Sequence, residues 1–329
     1  MANIHYYNRT FPCAEGQTVL DVLLENEQEV PHSCKMGVCV TCIMQAEEGD
    51  VPEAAQAGLR QSLVAEGNFL PCVCQPTSDM RVANTETEDL FSPAVVRGID
   101  YLSQDICRVF LEPTTPLYYH AGQFMNLRRA DGLVRSFSLA SVPSLNSRLE
   151  FHIKRLDQGQ MSNWILDELK IGDRIGIQGP IGNCYYHPGR HDQNMLLIGN
   201  GTGLAPLIGI ARDALSVGHS GTMRIYHGSR TSDGIYLGSE LRALDSGHTN
   251  VDYIPCVSRV AESEAYRLGR ADQVAFSDNS DLAGWRVFLC GNPEMVDKGQ
   301  ELARAAGAGI NDIYTDPYVL KNLREKPRA

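Results

Sequence analysis

The chain has 329 residues, which is enough for two or three domains with separate hydrophobic cores. Its hydrophobic fraction of 43% and charged fraction of 21% are ordinary for a globular protein and exclude wholesale disorder. The formal net charge is −11, and an acidic chain without a basic stripe argues against a nucleic-acid partner.

The N-terminal sequence, MANIHYYNRT, lacks the basic and then apolar run of a secretory signal. The most apolar window, residues 195–211, is interrupted by polar residues, a proline and four glycines, whereas a membrane span is longer and cleaner. We therefore expect a cytoplasmic protein that does not insert into a membrane. In a reducing compartment, ten cysteines favour metal or redox roles over a disulfide framework.

The first 90 residues predict a small, acidic α+β domain. They hold 14 acidic against 4 basic residues, a balance of −10, whereas residues 91–329 have a balance of −1. The segment NIHYYN alternates like a strand, and QTVLDVLLENE places apolar residues at helical spacing after Thr18, a candidate N-cap. The acidic segment NTETEDLFSP, residues 84–93, has little apolar periodicity and predicts a linker.

Two different patterns follow this linker. Residues 94–188 contain short period-2 runs, GQFMNLRR, SRLEFHIKRL and GDRIGIQGP, and one helix, MSNWILDEL, which together predict an antiparallel barrel. Residues 191–329 alternate strand-like segments, such as MLLIG, TMRIYHG and RVFLCG, with helix-like segments, which predicts a parallel sheet covered by helices. The expected organisation is three domains, at residues 1–90, 94–188 and 191–329.

A cysteine cluster lies in the first predicted domain. The spacing Cys34-x4-Cys39-x2-Cys42, followed by a distant cysteine, is the plant-type ligand pattern for a 2Fe-2S cluster. The fourth ligand is Cys72 or Cys74. The alternatives are a four-cysteine zinc site and a redox-active pair of Cys39 and Cys42. Structural zinc usually binds two closely spaced pairs, and only one pair here has that spacing, so the pattern favours the iron–sulfur cluster.

This segment resembles the plant-type ferredoxins, whose distant ligand lies in an L-x-C context that here is Leu70-Pro71-Cys72. The resemblance implies that Cys72 is the fourth ligand and leaves Cys74 as a buried free thiol. Relatives usually carry a small residue after the second cysteine, where this chain has Val40. We expect this departure to alter packing or hydrogen bonding at the cluster, and so its potential, without removing a ligand.

The segment LVRSFSLASVP, residues 133–143, resembles the R-x-Y-S flavin motif of the ferredoxin-NADP reductase superfamily, with Phe137 in place of tyrosine. The resemblance implies that Arg135 faces the FAD pyrophosphate, a contact that suits a bidentate guanidinium. It also implies that Phe137 lies against the flavin and that the hydroxyl of Ser138 approaches flavin N5. Ser136, between these residues, belongs to the same implied FAD-binding strand.

Two further segments fit the same superfamily. FHIKR matches the strand that supports the flavin chain, and GQMSNWI matches a G-x-x-S turn that opens a helix. The N–H groups at a helix N-terminus and the helix dipole suit a pyrophosphate. The FAD-binding residues that these segments imply are His152, Ile153, Lys154, Gly159, Met161, Ser162 and Asn163.

The segment IGNGTGLAPL, residues 198–207, places glycines between a strand and a helix. Its spacing is G-x-G-x-G, not the G-x-G-x-x-G of the dinucleotide fingerprint. Its threonine and its Ala-Pro pair make it resemble the G-G-T-G-x-A-P nicotinamide motif of the same superfamily, with Asn200 as a departure. Glycine allows the backbone to approach the cofactor diphosphate closely. The implied cofactor-binding residues are Gly199, Gly201, Thr202 and Gly203.

Downstream segments complete the implied nicotinamide site. FLCGNPEMVD resembles the C-G-P-P-x-M strand end of the superfamily, which implies that Cys290 lies near the reacting nicotinamide carbon and that Gly291 and Asn292 shape the pocket. In YTDPYVL, Tyr318 matches the aromatic residue that covers the flavin face. The segment after TMRIYHG supplies Arg230 for the adenosine but few other basic residues, so we expect NADH, with NADPH as the alternative.

The resemblance covers essentially the whole chain and matches the single-chain reductase components of bacterial multicomponent oxygenases. It implies a multidomain α+β and α/β fold, with a β-grasp ferredoxin domain, an antiparallel β-barrel FAD domain and a parallel-sheet α/β nicotinamide domain. The implied cofactors are a 2Fe-2S cluster, FAD and NADH. The implied catalytic residues are Ser138, Cys290 and Tyr318.

The function implied by this resemblance is an NADH:acceptor oxidoreductase that passes electrons from NADH through FAD and the cluster to a terminal oxygenase in aromatic hydrocarbon catabolism. The acidic first domain predicts docking to a basic face of that oxygenase. One alternative is the reductase partner of a deoxysugar dehydratase. The other is a non-enzymatic iron–sulfur redox sensor, for which a hydride-accepting apparatus is superfluous.

Overall fold

The computed structural model of the chain describes residues 2–32, 34–85, 90–259 and 263–318. Within these ranges one compact unit contains residues up to 91 together with 134–136, and the other contains 92–133 and the residues from 137 onward. The linker predicted at residues 84–93 falls partly on 86–89, which lie outside the described residues, and the residues from Ser92 already form a strand. None of the described helices is long and apolar enough to cross a membrane.

The first unit is built on a mixed five-stranded sheet with a helix packed on its core. Its elements are β1 (Ala2–Tyr6), β2 (Arg9–Cys13), α1 (Val19–Glu25), β3 (Met44–Glu48), α2 (Gln61–Ala65), β4 (Asn68–Phe69) and β5 (Met80–Asn84).

The strand order is β2-β1-β5-β3-β4, in which β1 pairs antiparallel with β2 and parallel with β5. The predicted cap of α1 is present, because Thr18 Oγ1 accepts the Asp21 N–H at 3.1 Å. The apolar face of α1, including Leu20 and Leu23, is fully buried. A mixed sheet crossed by one helix is the predicted β-grasp arrangement.

The second unit begins with an antiparallel sheet of six strands. The elements of this part of the chain are β6 (Ser92–Tyr101), β7 (Ile106–Pro113), β8 (Phe124–Arg128), β9 (Val134–Ser138), β10 (Leu149–Lys154), α3 (Gln160–Asp167) and β11 (Arg174–Ile181). Residues 134–136 of β9 are grouped with the first unit.

The strand order of this sheet is β10-β7-β6-β11-β8-β9. An antiparallel bridge between Leu139 and Phe151 joins the end of β9 to β10, so the two edges of the sheet meet. Inward-facing residues such as Val109, Phe151 and Ile153 form the core. The predicted antiparallel barrel is therefore confirmed.

The remainder of the second unit is a six-stranded parallel sheet with helices on both faces. Its elements are β12 (Met195–Asn200), α4 (Leu204–Ser216), β13 (Met223–Ser229), α5 (Gly238–Gly247), β14 (Val251–Val257), β15 (Arg267–Leu268), α6 (Ala271–Asp278), β16 (Arg286–Gly291), α7 (Pro293–Ala305) and β17 (Ile313–Pro317).

The strand order of this sheet is β15-β14-β13-β12-β16-β17. The chain runs from β12 to β13 on one side, and β16 lies on the other side of β12. Ligands of open parallel sheets bind beyond the carboxyl ends of the strands, where the order reverses in this way. The carboxyl ends of β12 and β16, at Asn200 and Gly291, therefore mark the expected ligand-binding edge.

Candidate functional site

The four cysteines proposed as metal ligands lie as two thiol pairs. Cys34 pairs with Cys39, and Cys42 pairs with Cys72. In each pair the hydrogen bond from the partner thiol has the largest effect on the pKa of the accepting sulfur. It lowers the pKa of Cys34 to about 5 and that of Cys72 below its usual range. The pairs are also close to each other, because Cys34 and Cys72 interact electrostatically. Two adjacent thiol pairs are the donor set that two irons require.

Backbone N–H groups of the cysteine loop point at sulfur. Cys34 Sγ accepts the N–H groups of Met36 and Cys39, each at 3.4 Å. The chain turns tightly to do this: Gly37 has φ +74°, and a Cβ there would lie 3.0 Å from Val73. Hydrogen bonds to sulfur stabilise thiolate ligands and tune the cluster potential, so the loop fits a 2Fe-2S cluster.

Val40, the departure from the ferredoxin pattern, adopts φ +60°. This left-handed conformation is unusual for a β-branched residue and is costly unless the surroundings hold it. The side chain packs against the core of the first unit, which supplies that support.

The alternative sites fit this geometry less well. Cys42 pairs with Cys72 and not with Cys39, which argues against a Cys39–Cys42 redox pair. The zinc alternative is disfavoured by the sequence spacing, which has only one closely spaced pair where structural zinc usually binds two. Cys74 is fully buried with its sulfur 4.0 Å from that of Met80, and burial raises its pKa to about 12.

Arg135, Ser136, Phe137 and Ser138, the proposed flavin-binding residues, form the edge strand β9 of the barrel. The Arg135 guanidinium is half-buried, and burial lowers its pKa. It makes no ion pair with a carboxylate in the described part of the chain, and its hydrogen bond is to the neighbouring carbonyl of Val134 at 2.6 Å. A desolvated cation without an anionic partner fits a bound pyrophosphate.

The start of α3 offers a second anchor for an anion. Gly159 occupies the N-cap position without a side-chain cap, so the first N–H groups of the helix lack a cap partner. Ser162 Oγ accepts the Leu156 N–H at 3.1 Å and thereby holds the turn, while Met161 packs in the barrel core. Among the residues that the structure describes, the carboxamide oxygen of Asn163 is buried and has no hydrogen-bond partner, which fits a site that a ligand completes.

The proposed residues of β10 have side chains that contact other parts of the protein. Ile153 lies in the barrel core. Lys154 forms an ion pair with Asp105 at 3.1 Å. His152 is buried outside the barrel core, where its ring nitrogens contact Glu150 at 2.9 Å and the hydroxyl of Tyr236 at 3.1 Å.

Gly201–Gly203, called the glycine turn, forms one turn of 3₁₀ helix between β12 and α4. Gly201 has φ +53°, and no atom lies within 4 Å of the position where a Cβ would be. The turn is packed tightly on its other side, because a Cβ at Gly203 would lie 2.2 Å from the carbonyl oxygen of Cys290. Gly199 is similarly confined by Leu207. The turn therefore presents backbone to open space, as a diphosphate cradle requires.

The end of β16 lies against this turn. Cys290 is fully buried, with its sulfur 3.6 Å from that of Cys184. Asn200 Oδ1 accepts the N–H of Asn292 at 2.9 Å. It also fills the space beside Gly291, because a Cβ there would lie 2.2 Å from that oxygen. Asn200 and Asn292, which depart from the two nicotinamide motifs of the superfamily, are thus bonded to each other.

The three proposed catalytic residues converge around a carboxylate that sequence reasoning did not single out. Ser138 Oγ donates to Asp316 Oδ2 at 2.6 Å, and Asp316 is the neighbour of Cys290 across β16 and β17. The half-buried Tyr318 donates its hydroxyl to the carbonyl of Thr202 at 3.2 Å. Burial raises the pKa of Asp316 to about 6, against the opposing influence of Ser138. The motif YTDPYVL contained the signal, since Asp316 stands two residues before Tyr318.

Arg230, proposed for the adenosine, follows β13 and is exposed to solvent. Its carbonyl accepts the Arg259 N–H at 3.1 Å, so a second arginine lies beside it. Sequence reasoning also missed His227, which is fully buried on β13 next to the glycine turn.

Three family descriptions match successive parts of the chain. Residues 3–77 match the 2Fe-2S iron-sulfur cluster binding domain. Residues 94–186 match the oxidoreductase FAD-binding domain, and residues 197–301 match the oxidoreductase NAD-binding domain. The three expected cofactors, a 2Fe-2S cluster, FAD and a nicotinamide dinucleotide, are confirmed by these matches.

Individual relatives match over nearly their whole length. The ferredoxin–NAD(P)(+) reductase component of the naphthalene 1,2-dioxygenase/salicylate 5-hydroxylase systems of Ralstonia sp. is 32% identical over 311 residues, 92% of this chain and 94% of the relative. The CDP-6-deoxy-L-threo-D-glycero-4-hexulose-3-dehydrase reductase of Yersinia pestis is 27% identical, covering 92% and 93%. The crystal structure of the Amycolatopsis cytochrome P450 reductase GcoB has a TM-score of 0.69 and 30% identity, covering 97% of this chain and 99% of that one.

Proposed function

This chain belongs to the reductase components of oxygenase systems that join 2Fe-2S, FAD-binding and NAD-binding domains, and from that premise we propose its electron path and the residues that serve it. Electrons enter from NADH and leave from the cysteine loop to the terminal component of a multicomponent oxygenase. One observation carries this proposal: Ser138 of the flavin strand meets Asp316, Cys290 and Tyr318 beside the glycine turn.

The residues of the first unit hold the cluster. Cys34 and Cys39 bind one iron, and Cys42 and Cys72 bind the other, as the two thiol pairs indicate. The N–H groups of Met36 and Cys39 support the negative charge on Cys34 sulfur. Met36 and Val38 are exposed on the same loop, so a partner protein can approach the cluster there.

The residues of β9, α3 and the parallel sheet bring FAD and NADH together. Arg135 and the start of α3 bind the FAD pyrophosphate, and the glycine turn binds the NADH diphosphate. Cys290 and Tyr318 shape the space in which the nicotinamide meets the flavin, and Asp316 fixes the Ser138 hydroxyl by accepting its hydrogen bond. The chemistry supplied by the bound cofactors is the conversion of a two-electron hydride into single electrons. The protein contributes position and the exclusion of water.

NADH is the proposed donor because the adenosine side of the site has few cations. Arg230 and Arg259 are adjacent, but Asp233 is exposed in the turn that follows β13. An acidic side chain there disfavours the extra phosphate of NADPH.

The first experiment is an anaerobic titration with NADH followed by absorbance. Bleaching of both the flavin and the iron–sulfur bands supports the proposed path, whereas bleaching of the flavin alone contradicts it. Repeating the titration with NADPH tests the donor, since equal reduction at equal concentration contradicts the preference for NADH.

A second candidate function follows from the similarity to the Yersinia pestis dehydrase reductase. A reductase for a deoxysugar dehydratase needs the same cofactors but a different protein acceptor. Purified oxygenase and dehydratase components, each offered as the acceptor of electrons from NADH, separate the two functions. Faster delivery to the dehydratase would overturn the oxygenase assignment.

A further inference from the structure

A buried histidine lies directly behind the glycine turn. His227 is on β13, paired in register with Gly199 of β12, and has no exposed surface. Its Nε2 lies 3.3 Å from the carbonyl oxygen of Gly201, and its Nδ1 lies 3.4 Å from the hydroxyl of Tyr253.

The partners of His227 determine which nitrogen carries the proton. A carbonyl oxygen only accepts, so Nε2 must be the donor to Gly201. A neutral imidazole then has a bare Nδ1, which accepts from the Tyr253 hydroxyl. Burial lowers the pKa of His227 to about 4, so the ring stays neutral and this arrangement persists at neutral pH.

The second carbonyl of the turn is also held by a side chain. The Tyr318 hydroxyl donates to the carbonyl of Thr202 at 3.2 Å. Because a trans peptide is planar, fixing a carbonyl also fixes the N–H of the next residue on the opposite side. The bond from His227 therefore aims the Thr202 N–H, and the bond from Tyr318 aims the Gly203 N–H. Both N–H groups precede α4, where a helix N-terminus favours an anion.

We propose that His227 is a positioning residue for the nicotinamide cofactor, holding the Gly201–Thr202 peptide so that its N–H points at the diphosphate. This inference rests on the proposed function, in which the glycine turn binds that diphosphate. His227 touches neither the cofactor nor the reacting atoms and acts through the backbone of the turn.

The ring of His227 is held in place by contacts that lead to β10, one of the proposed FAD-binding strands. The Tyr236 ring packs edge-on against it, with centroids 5.4 Å apart and an interplanar angle of 90°. The Tyr236 hydroxyl donates to His152 of β10, and His152 donates to Glu150. Arg108 and Arg212 approach that buried carboxylate at 3.8 and 3.9 Å. A fixed chain of contacts thus prevents the His227 ring from rotating away from Gly201.

The test compares His227→Phe, which keeps a ring without an N–H donor, with His227→Gln, which keeps a side-chain N–H donor. ADP-ribose serves as the probe, since it carries the diphosphate without the nicotinamide. We expect roughly three- to tenfold weaker ADP-ribose binding by the Phe variant, as for one lost hydrogen bond, and recovery of part of this loss in the Gln variant. The KM for NADH should rise by the same factor while kcat at saturation and FAD content stay unchanged. The same changes at exposed His248 are the matched controls.

The outcomes separate the inference from the proposed function. Wild-type protein that binds neither ADP-ribose nor NADH contradicts the proposed function. Wild-type binding with an unchanged Phe variant, or equal losses in the Phe and Gln variants, overturns the role of His227. If the Phe variant does not retain FAD, Tyr253→Phe decides the question, because it removes only the hydroxyl that faces Nδ1. That variant should weaken ADP-ribose binding about twofold, and unchanged binding contradicts the inference.

Discussion

At the scale of single residues, the environment of a side chain decides its role more than its chemical type does. Cys72 and Cys74 are both buried thiols only two residues apart, yet only Cys72 is paired with another cysteine of the cluster loop. Arg135 and Arg97 are both on barrel strands, but Arg97 is paired with Glu112. These contrasts supply matched variants for testing the proposed roles.

Replacement of Cys72 by serine should remove or destabilise the cluster while FAD stays bound, because one iron loses a thiolate ligand. The variant should still reduce ferricyanide with NADH but not a one-electron protein acceptor. Iron content and visible absorbance are the measurements, and Cys74→Ser is the control. Loss of the cluster in the Cys74 variant with its retention in the Cys72 variant would reverse the ligand assignment.

Replacement of Arg135 by alanine should lower FAD retention, because the pyrophosphate loses a charge-assisted bond of roughly 1.5–3 kcal/mol. FAD per protein after gel filtration is the measurement. Arg97→Ala is the control, since that arginine is half-exposed and paired on the barrel surface. Full flavin occupancy in the Arg135 variant would contradict its role.

The raised pKa of Asp316 predicts a pH-dependent contribution to stability. The folded protein keeps this proton up to about pH 6, whereas an unfolded aspartate releases it near pH ~3.9. The folded state binds more protons in that window, so the contribution of Asp316 to the free energy of unfolding falls as the pH rises from ~4 to ~6.

The Asp316→Asn variant has no such group. Its midpoint temperature relative to wild type should therefore rise across that pH window and level off above it. FAD fluorescence during thermal unfolding of the holoenzyme reports this difference. A difference that is constant with pH would show that Asp316 does not titrate in this range.

At the scale of elements, segments with strong local patterns were predictable from sequence. The predicted helix MSNWILDEL overlaps α3, and Thr18 caps α1 as its spacing predicted. Contacts between distant segments carried no such pattern. Ser138 and Asp316 are 178 residues apart in the chain, and His152 meets Tyr236 across 84 residues. Local periodicity reports which face of an element is buried, but it does not report which side chain lies opposite.

The packing of the glycine turn on β16 gives a prediction at this scale. A Cβ at Gly203 would lie 2.2 Å from the Cys290 carbonyl, so Gly203→Ala must displace the turn or the strand end. Because the displaced turn must be restored to bind the cofactor, an overpacking cost of about 1–3 kcal/mol should lower kcat/KM for NADH by roughly five- to 150-fold. FAD content should be unchanged. Gly247→Ala is the control, because no atom lies within 4 Å of its Cβ position, and equal rates for the two variants would contradict the expectation.

At the scale of the whole molecule, the acidic charge is concentrated in the part of the chain that holds the cysteine cluster. Residues 1–90 carry a balance of −10, from 14 acidic and 4 basic residues, while residues 91–329 are nearly neutral at −1. The acidic part includes the cysteine loop, from which we propose that electrons leave. We therefore expect docking to a basic partner face to depend on the first unit and hydride transfer to depend on the second.

Salt should separate these two activities. Charges more than about 8 Å apart are largely screened at physiological ionic strength, so association led by acidic side chains slows as salt rises. Candidates for that role are Glu25, Glu27, Glu29, Glu47, Glu48 and Glu53. Electron delivery to the natural acceptor should decline across a salt series, and NADH-to-ferricyanide turnover should change much less. Parallel salt curves for the two activities would contradict acidic docking.

The bond between Asn200 and Asn292 has a consequence for how such chains diverge. The superfamily pattern has glycine and proline at these two positions, and proline has no N–H for the Asn200 carboxamide to accept. Changing Asn200 alone leaves an N–H without its acceptor, and changing Asn292 alone leaves a carboxamide without its donor. We therefore expect the two positions to vary together among relatives, as asparagine with asparagine or as glycine with proline.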